Sequence, residues 1–440
     1  METQMLRCLL KNLESEGHLR TVFEKVDKDF QLGAILKENN NKVPTIFKNV
    51  NHRNAVVGGL FGNRELFFSL LKFEHCERIK QISKAIINPK PYQVLENGPI
   101  YENIITNKIY LDDIIPFTKF HEKDSGPFIT AGILVIKEPE SGKYLTSIRR
   151  LQYNGGNCLS LLVASPRFNR ILEKCNNNGQ DLEVAIFLGY DAEAILASQI
   201  NSNVYDVDKY TLDSALRGEP LKLVRCKTKD LLVPAYSEIV LEGRVPAGKF
   251  EYEGPFGELM GYYGERALHP IIEIDAVMHR NNPIYQVAFP CREEHLTNGL
   301  TREVELFSNL ERIVNVKDVY ITEGGGYRFN AVVSIENGEH GEGKTAILGT
   351  FGTFSDIKNV VIVDEDVNIF SSSDVEWAIT TRSQAGKDFV IIENAKGSTL
   401  DPSHVYYKKS DKLGIDATIP DKKTELFNRA IIDKKYGGIE

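Results

Sequence analysis

Between residues 115 and 290 the chain carries a series of short apolar runs rich in β-branched residues, each closed by turn residues. They are FITAGILVIKE, NCLSLLVAS, LEVAIFLG, LKLVRCK, SEIVLEGRV and PIIEIDAVMHR. β-Branched side chains pack well on a pleated surface and lose rotamer freedom in a helix, so these runs read as strands. Two helical patches, AEAILASQI and DSALRG, interrupt them. Many short strands with few helices between them predict a β-barrel or a curled sheet.

The flanks read differently. Met5, Leu6, Leu9, Leu10 and Leu13 recur at helical spacing. AVVGGLF at 55–61 reads as a strand, and NRELFFSLL as a helix capped by Asn63. Up to about residue 110 a small α/β unit is expected. From about 300, REVELFSNLERIV is helical and VKDVYIT a strand. NAVVSIE, NVVIVDED and DFVIIEN are buried-strand runs, with DVEWAITTRSQA a helix between the last two. A chain of 440 residues is too long for one ordinary core. Three domains are expected, at 1–112, 113–300 and 301–440. TELFNRAIIDKKYGG predicts a terminal helix placed to pack on another subunit.

The net charge of −8 and the lack of any basic run longer than DKKTE argue against a nucleic-acid binder. The cysteines, Cys8, Cys76, Cys158, Cys175, Cys226 and Cys291, form no C-x-x-C pair. Reduced thiols are expected, with neither a zinc nor a redox motif. No apolar run approaches the length of a membrane span, and the N-terminus reads as an amphipathic helix, so a cytosolic protein is expected. GEHGEGKT at 338–345 fits the phosphate-loop pattern. Glu339 and Glu342 would lie inside that cradle and repel phosphate, so it reads as a surface loop. EGGGYRF at 323–329 lacks the glycine frame of a dinucleotide site.

The most chemical stretch is EGPFGE at 253–258. On a straight strand Glu253 and Glu258 would point to opposite faces, about 17 Å apart. Pro255 fixes its own φ and pushes Gly254 out of helical geometry, and two glycines allow a tight reversal. Folded back, the acids can face one cavity. Two carboxylates in one pocket push their pKa values apart, which suits a general acid.

The neighbourhood of this turn carries a resemblance. DLLVPAYSEIVLEG followed by EGPFGELMGYYG is similar to the UbiD-like decarboxylase family, which acts on aromatic and unsaturated carboxylic acids. VPTIFKNV with AVVGGLFGNRELFFSLL resembles the family's N-terminal domain, and HEKDSGPFITAGILVIKEPESGK its entry into the cofactor domain. NVVIVDEDVNIFSSSDVEWAITTR, STLDPS and GIDAT resemble its C-terminal domain. The resemblance implies a central split β-barrel related to flavin-binding folds, flanked by α/β domains. It implies prenylated FMN, supplied by a flavin prenyltransferase, as electron sink while CO₂ departs from a small carboxylic acid. It also implies a homodimer or a dimer-built homohexamer.

Carried over position by position, the resemblance assigns catalysis to Arg150, Glu253 and Glu258. Glu258 would donate the proton that replaces CO₂. Arg150 would hold the substrate carboxylate or keep Glu253 ionised. The cofactor would meet Ile148, Arg149, Arg150, Leu162, Val163, Ala164, Arg167, Phe168 and Lys209. The family's divalent-metal ligands fall on Leu145, Phe168 and Lys209, none of which ligates a hard cation. The metal site is therefore expected to be absent. The Lys209 ammonium could stand in the metal's place, with Arg149 and Arg167 near the same phosphate, whereas a one-residue shift would put Asp208 there instead. The alternative function is a relative that has lost prenylated-FMN and metal binding and serves as a plain-flavin or cofactor-free module.

Overall fold

The structure is a computed structural model describing residues 4–163, 165–290, 292–336, 341–404, 408–420, 424–427 and 429–430. The chain divides into two compact units, Met1–Thr301 and Arg302–Glu440.

The first unit opens with helix α1 (Met5–Ser15), whose leucine face is buried as the spacing predicts. Arg7 ties it down by a double hydrogen bond to the enclosed Glu238, at 2.8 and 2.9 Å. A small sheet follows from Arg20–Val22, Thr45–Phe47, Val56–Gly58 and the distant Tyr285–Gln286. Helix α2 (Arg64–Leu71) starts at Asn63, whose side chain accepts from the Leu66 amide.

The barrel strands are β1 (Phe128–Lys137), β2 (Tyr144–Gly155), β3 (Cys158–Leu161), β4 (Leu182–Leu188), β5 (Ile239–Val245) and β7 (Ala267–His279), with β6 (Phe250–Glu253) between the last two in sequence. They pair in the order β5-β4-β1-β2-β3-β7, all antiparallel. β7 then pairs back with β5, from Ile239 opposite His279 to Arg244 opposite Glu273, which closes a six-strand barrel. Closure leaves no unpaired edge among these strands. β6 lies outside the ring as an arm paired along the first residues of β7. Ile129, Ile133, Val184, Ile186, Leu241 and Ile272 are fully enclosed. Each contributes about 1.5–3 kcal/mol of hydrophobic stabilisation.

One run did not join the barrel. LKLVRCK forms Lys222–Arg225, which pairs with Gln93–Val94 and Leu232–Pro234 in a separate sheet. β2, by contrast, takes a central place although Arg149, Arg150 and Gln152 interrupt its apolar residues. Helices α3 (Pro166–Asn177), α4 (Ala192–Gln199) and α5 (Lys209–Arg217) follow, and α4 and α5 pack against β2. That cover is why Lys209, at the start of α5, is enclosed. Helix α6 (Glu293–Leu310) spans the division between the units.

The second unit is a sheet of β8 (Val316–Ile321), β9 (Asn330–Ile335), β10 (Asn359–Asp364), β11 (Phe389–Lys396) and β12 (Lys409–Ala417), in the order β8-β9-β10-β12-β11. β9, β10 and β12 run parallel, with β8 and β11 antiparallel at the edges. Helices α7 (Glu342–Thr353) and α8 (Ser372–Arg382) cover β10 and β12. Part of the phosphate-loop pattern, 338–340, lies outside the described residues. Where the loop is described, Gly343 abuts the Asp416 carboxylate, so that a Cβ there would stand 2.2 Å from Oδ2. An acid against the backbone is the opposite of a phosphate cradle. Of the expected terminal helix, Thr424–Phe427 forms a single 3₁₀ turn. Residues 431–440 lie outside the described residues. Cys76, Cys158, Cys175 and Cys226 are free thiols, and Cys291 also lies outside the described residues. Among the described residues no helix is long and apolar enough to cross a membrane.

Candidate active site

Alternation along β2 turns Arg149 and Arg150 to opposite faces of the strand. Arg150 lies over the Phe256 ring, 4.7 Å from its centre, and Arg149 lies 5.8 Å from the centre of the Phe168 ring. The cofactor assignment that groups these two arginines therefore joins two different surfaces.

On the first surface Arg150 meets both glutamates. Its Nε and one terminal nitrogen donate to the two oxygens of Glu253 at 2.8 and 3.0 Å. The other terminal nitrogen donates to Glu258 Oε1. Such forked, charge-assisted contacts are the strong ones. The side chains are 11% exposed for Arg150, 0% for Glu253 and 19% for Glu258. Burial works against the Arg150 charge, but Glu258 and Glu253 outweigh it and hold the guanidinium above its usual range.

The turn between the acids is fixed by neighbours that sequence reasoning did not single out. Gly254 has φ +83, and a Cβ there would stand 2.7 Å from Glu265 O. Its amide donates to Gln152 Oε1 at 2.9 Å. The Gly257 amide donates to Asp124 Oδ1 at 2.9 Å, and a Cβ on Gly257 would stand 2.4 Å from His121 Nδ1. Ser125 N donates to Pro255 O at 2.8 Å. The His121–Ser125 segment thus grips the turn, and the enclosed Asp124 sets the residue just before Glu258. Only the stretch HEKDSGPF, already conspicuous for its resemblance, pointed there. His269 on β7 is a further neighbour, with Nε2 3.9 Å from Glu253 Oε2. Burial lowers its pKa, and Arg150 adds to this against the pull of Glu253.

The second surface is a cleft lined by Leu145, Ser147, Arg149, Ser165, Arg167 and Phe168, among others. Arg149 Nε is shielded from solvent and has no hydrogen-bond partner among the described residues. Burial alone pushes this guanidinium down to about 10. Arg167 is already engaged: it forks onto Glu138 at 2.8 and 2.7 Å and reaches Ser202 O and Asp206. Ile148 pairs with Ile133 within the barrel, and Leu162 and Val163 lie between β3 and α3. Ala164 lies outside the described residues.

Lys209 is not a surface lysine at a helix start. It is wholly enclosed, and its Nζ donates to Ala197 O at 3.0 Å and to Ile200 O. Burial first, and Arg167 second, push its ammonium down to about 7. Asp208 cannot take its place at a cation. It caps α5, with Oδ1 accepting from the Tyr210 and Thr211 amides and Oδ2 from the Tyr144 amide. Leu145 and Phe168 offer no ligand atom. Among the described residues no three His, Cys, Asp or Glu side chains are grouped to hold a metal. The residues present do not fit the divalent metal that the resemblance implies.

Family profiles match almost the whole chain. They are the N-terminal, Rift-related and C-terminal domains of 3-octaprenyl-4-hydroxybenzoate carboxy-lyase, UbiD, at residues 10–86, 93–293 and 295–417. An anhydromevalonate phosphate decarboxylase from Methanosarcina mazei is 35% identical over 431 residues, 98% of this chain and 99% of that protein. A phenolic acid decarboxylase from Bacillus subtilis is 31% identical, covering 96% of this chain and 93% of that protein. Among solved structures, the UbiD-class enzyme HmfF from Pelotomaculum thermopropionicum in complex with FMN superposes with a TM-score of 0.94 at 39% identity, covering 97% of each chain. An evolved dimeric form of HmfF in complex with prFMN superposes at 0.91 and 37% identity, covering 99% of each chain.

Proposed function

This chain belongs to the UbiD family of carboxy-lyases, and we propose that it is a reversible, non-oxidative decarboxylase of an aromatic, heteroaromatic or α,β-unsaturated carboxylic acid, working with prenylated FMN. The observation that carries this reading is the unequal hold of Arg150 on its two acids. Glu253 is enclosed and clamped through both oxygens. Glu258 has one contact to the arginine and is partly open to solvent. The first is the arginine's standing partner. The second is placed to exchange a proton with water.

Loss of CO₂ leaves an electron pair on the substrate carbon, and a proton must arrive there. Glu258 supplies it and becomes a carboxylate facing the Arg150 guanidinium, which stabilises the charge that has just formed. Water reloads Glu258 for the next cycle. Asp124 and Gln152 keep the 253–258 turn in register, so that the acid does not wander from the arginine. When bound, prenylated FMN supplies the electron sink for the departing CO₂.

A flavin phosphate suits the cleft on the other face of β2, because Arg149 is a half-buried cation there whose shielded Nε has no acceptor among the described residues. Arg149, Arg167, Phe168, Ile148, Leu162 and Val163 are the residues proposed to hold the cofactor. The three-domain division, a cytoplasmic location, assembly as a homodimer or homohexamer, and supply of cofactor by a flavin prenyltransferase belong to the same proposal. The names of the two curated relatives support decarboxylation and differ in the acid.

The test is co-expression with a flavin prenyltransferase, followed by an absorbance spectrum and a screen of unsaturated and aromatic acids for CO₂ release. A bound flavin chromophore and release from at least one acid are expected. A colourless protein inactive on the whole panel would favour the cofactor-free module instead.

A further inference from the structure

The cleft side of β2 holds an electrostatic imbalance. Lys209 is completely enclosed, yet among the described residues no carboxylate contacts it. Its partners are the carbonyls of Ala197 and Ile200, at the C-terminal end of α4. An ammonium has three N–H donors. Among the described residues the third finds no acceptor. Its charged neighbour is another cation, Arg167. Arg167 grips the same stretch of chain, donating to Ser202 O at 2.6 Å. Arg149 lines the cleft together with Arg167, and its Nε is shielded from solvent with no hydrogen-bond partner among the described residues.

A helix C-terminus explains part of this. Its free carbonyls carry partial negative charge and attract cations. A capping role alone would not account for Arg149 standing in the cleft beside Arg167, nor for the lack, among the described residues, of a carboxylate acting on either Lys209 or Arg149. An uncompensated buried charge costs several kcal/mol. These cations make physical sense if an anion enters the cleft, whose wall includes Arg149 and the Arg167 that neighbours Lys209.

We propose that Lys209 is a tethered substitute for the divalent cation: its ammonium occupies the carbonyl nest at the end of α4 and, together with Arg149, neutralises the flavin phosphate, so that this chain binds flavin without a metal. The inference rests on the flavin reading above and sharpens it. A lysine delivers the cation as part of the chain, so cation and protein cannot separate. The ammonium is a compact point charge, as the site requires. Leu145 and Phe168 then need no ligand atoms, because no coordination sphere has to be completed.

The experiment is FMN titration of metal-stripped apoprotein, followed by quenching of FMN fluorescence, in excess EDTA and again in excess MnCl₂. Wild type is expected to bind with the same Kd in both. Lys209→Met should weaken FMN binding by about tenfold or more, and Arg149→Met, which leaves the α4 end intact, by a comparable factor. The double variant Lys209→Glu, Leu145→Asn should bind FMN in manganese about tenfold more tightly than in EDTA. Far-UV circular dichroism checks each fold, and Arg149→Met decides the matter if Lys209→Met does not fold. Wild-type binding that is lost in EDTA and restored by manganese would overturn the proposal while leaving the flavin reading standing. So would variants at both positions that bind FMN as wild type does. No FMN binding by wild type under either condition would overturn the flavin reading itself, and this inference with it.

Discussion

Replacing Glu253 with glutamine asks the sharpest question of the charged cluster. The substitution keeps size and shape and removes one negative charge. In the native protein both Glu253 oxygens accept from Arg150, and the side chain is wholly enclosed. A glutamine offers one acceptor and turns an NH₂ group towards a guanidinium that can only donate. Breaking a buried pair by removing one partner costs about 3–5 kcal/mol. Arg150 keeps Glu258, so the lower figure applies, about 3 kcal/mol. In a unit of this size each kcal/mol moves the melting point by about 2 °C, which gives a fall of about 6 °C. Glu258→Gln supplies the control. It removes the same charge from the partly exposed partner, and pairs of that kind are worth about 1 kcal/mol or less. Differential scanning calorimetry of both variants beside wild type, at one pH and without added ligand, measures the difference. Equal melting points for wild type and Glu253→Gln would refute the reasoning. So would a Glu258→Gln variant that loses the more stability of the two.

Gly257→Ala should lower stability by about 1–3 kcal/mol, since its Cβ would press into the His121 ring. Adding His121→Ala should restore part of that loss in thermal melts, because the obstructing ring is gone. Glu293 gives a pH prediction. Burial raises its carboxyl to about 7, against hydrogen bonds from Asn41 and from the Phe61 and Gly59 amides. An acid whose folded pKa lies above its unfolded value of about 4.3 binds more protons when folded, so wild type loses stability as pH rises through that window. Between about pH 5 and pH 8 the stability of Glu293→Gln relative to wild type should therefore move in the variant's favour by about 2–3 kcal/mol in urea melts. A constant difference across that range would contradict the assignment.

The elements that were legible in the sequence are those whose local pattern and tertiary setting agree. The leucine face of α1, the Asn63 cap and the apolar strand runs report burial directly, and burial is what fixed them. LKLVRCK reads like the barrel runs yet pairs in another sheet, because strand propensity does not say which sheet a strand will join. Helix α3 escapes a reading by apolar runs because its sequence is mostly polar: Phe168 and Leu172 are its buried residues. Around the turn, Glu253 and Glu258 stood out for their spacing. Asp124, Gln152, His121 and His269 come from other segments, and only the folded chain brings them to it. Lys209 was the residue least readable from sequence. A lysine opening a helix normally lies in water, and here packing of α4 and α5 on β2 encloses it.

The proposed chemistry needs one proton from Glu258. Turnover by flavin-loaded Glu258→Gln, on an acid that wild type decarboxylates, tests it most directly, with circular dichroism and the flavin spectrum checking that fold and cofactor are retained. General acid catalysis contributes about 10²–10⁴ in rate, and a fall in kcat of that size is predicted. Wild-type turnover by this variant would contradict the assignment of Glu258 as the proton donor.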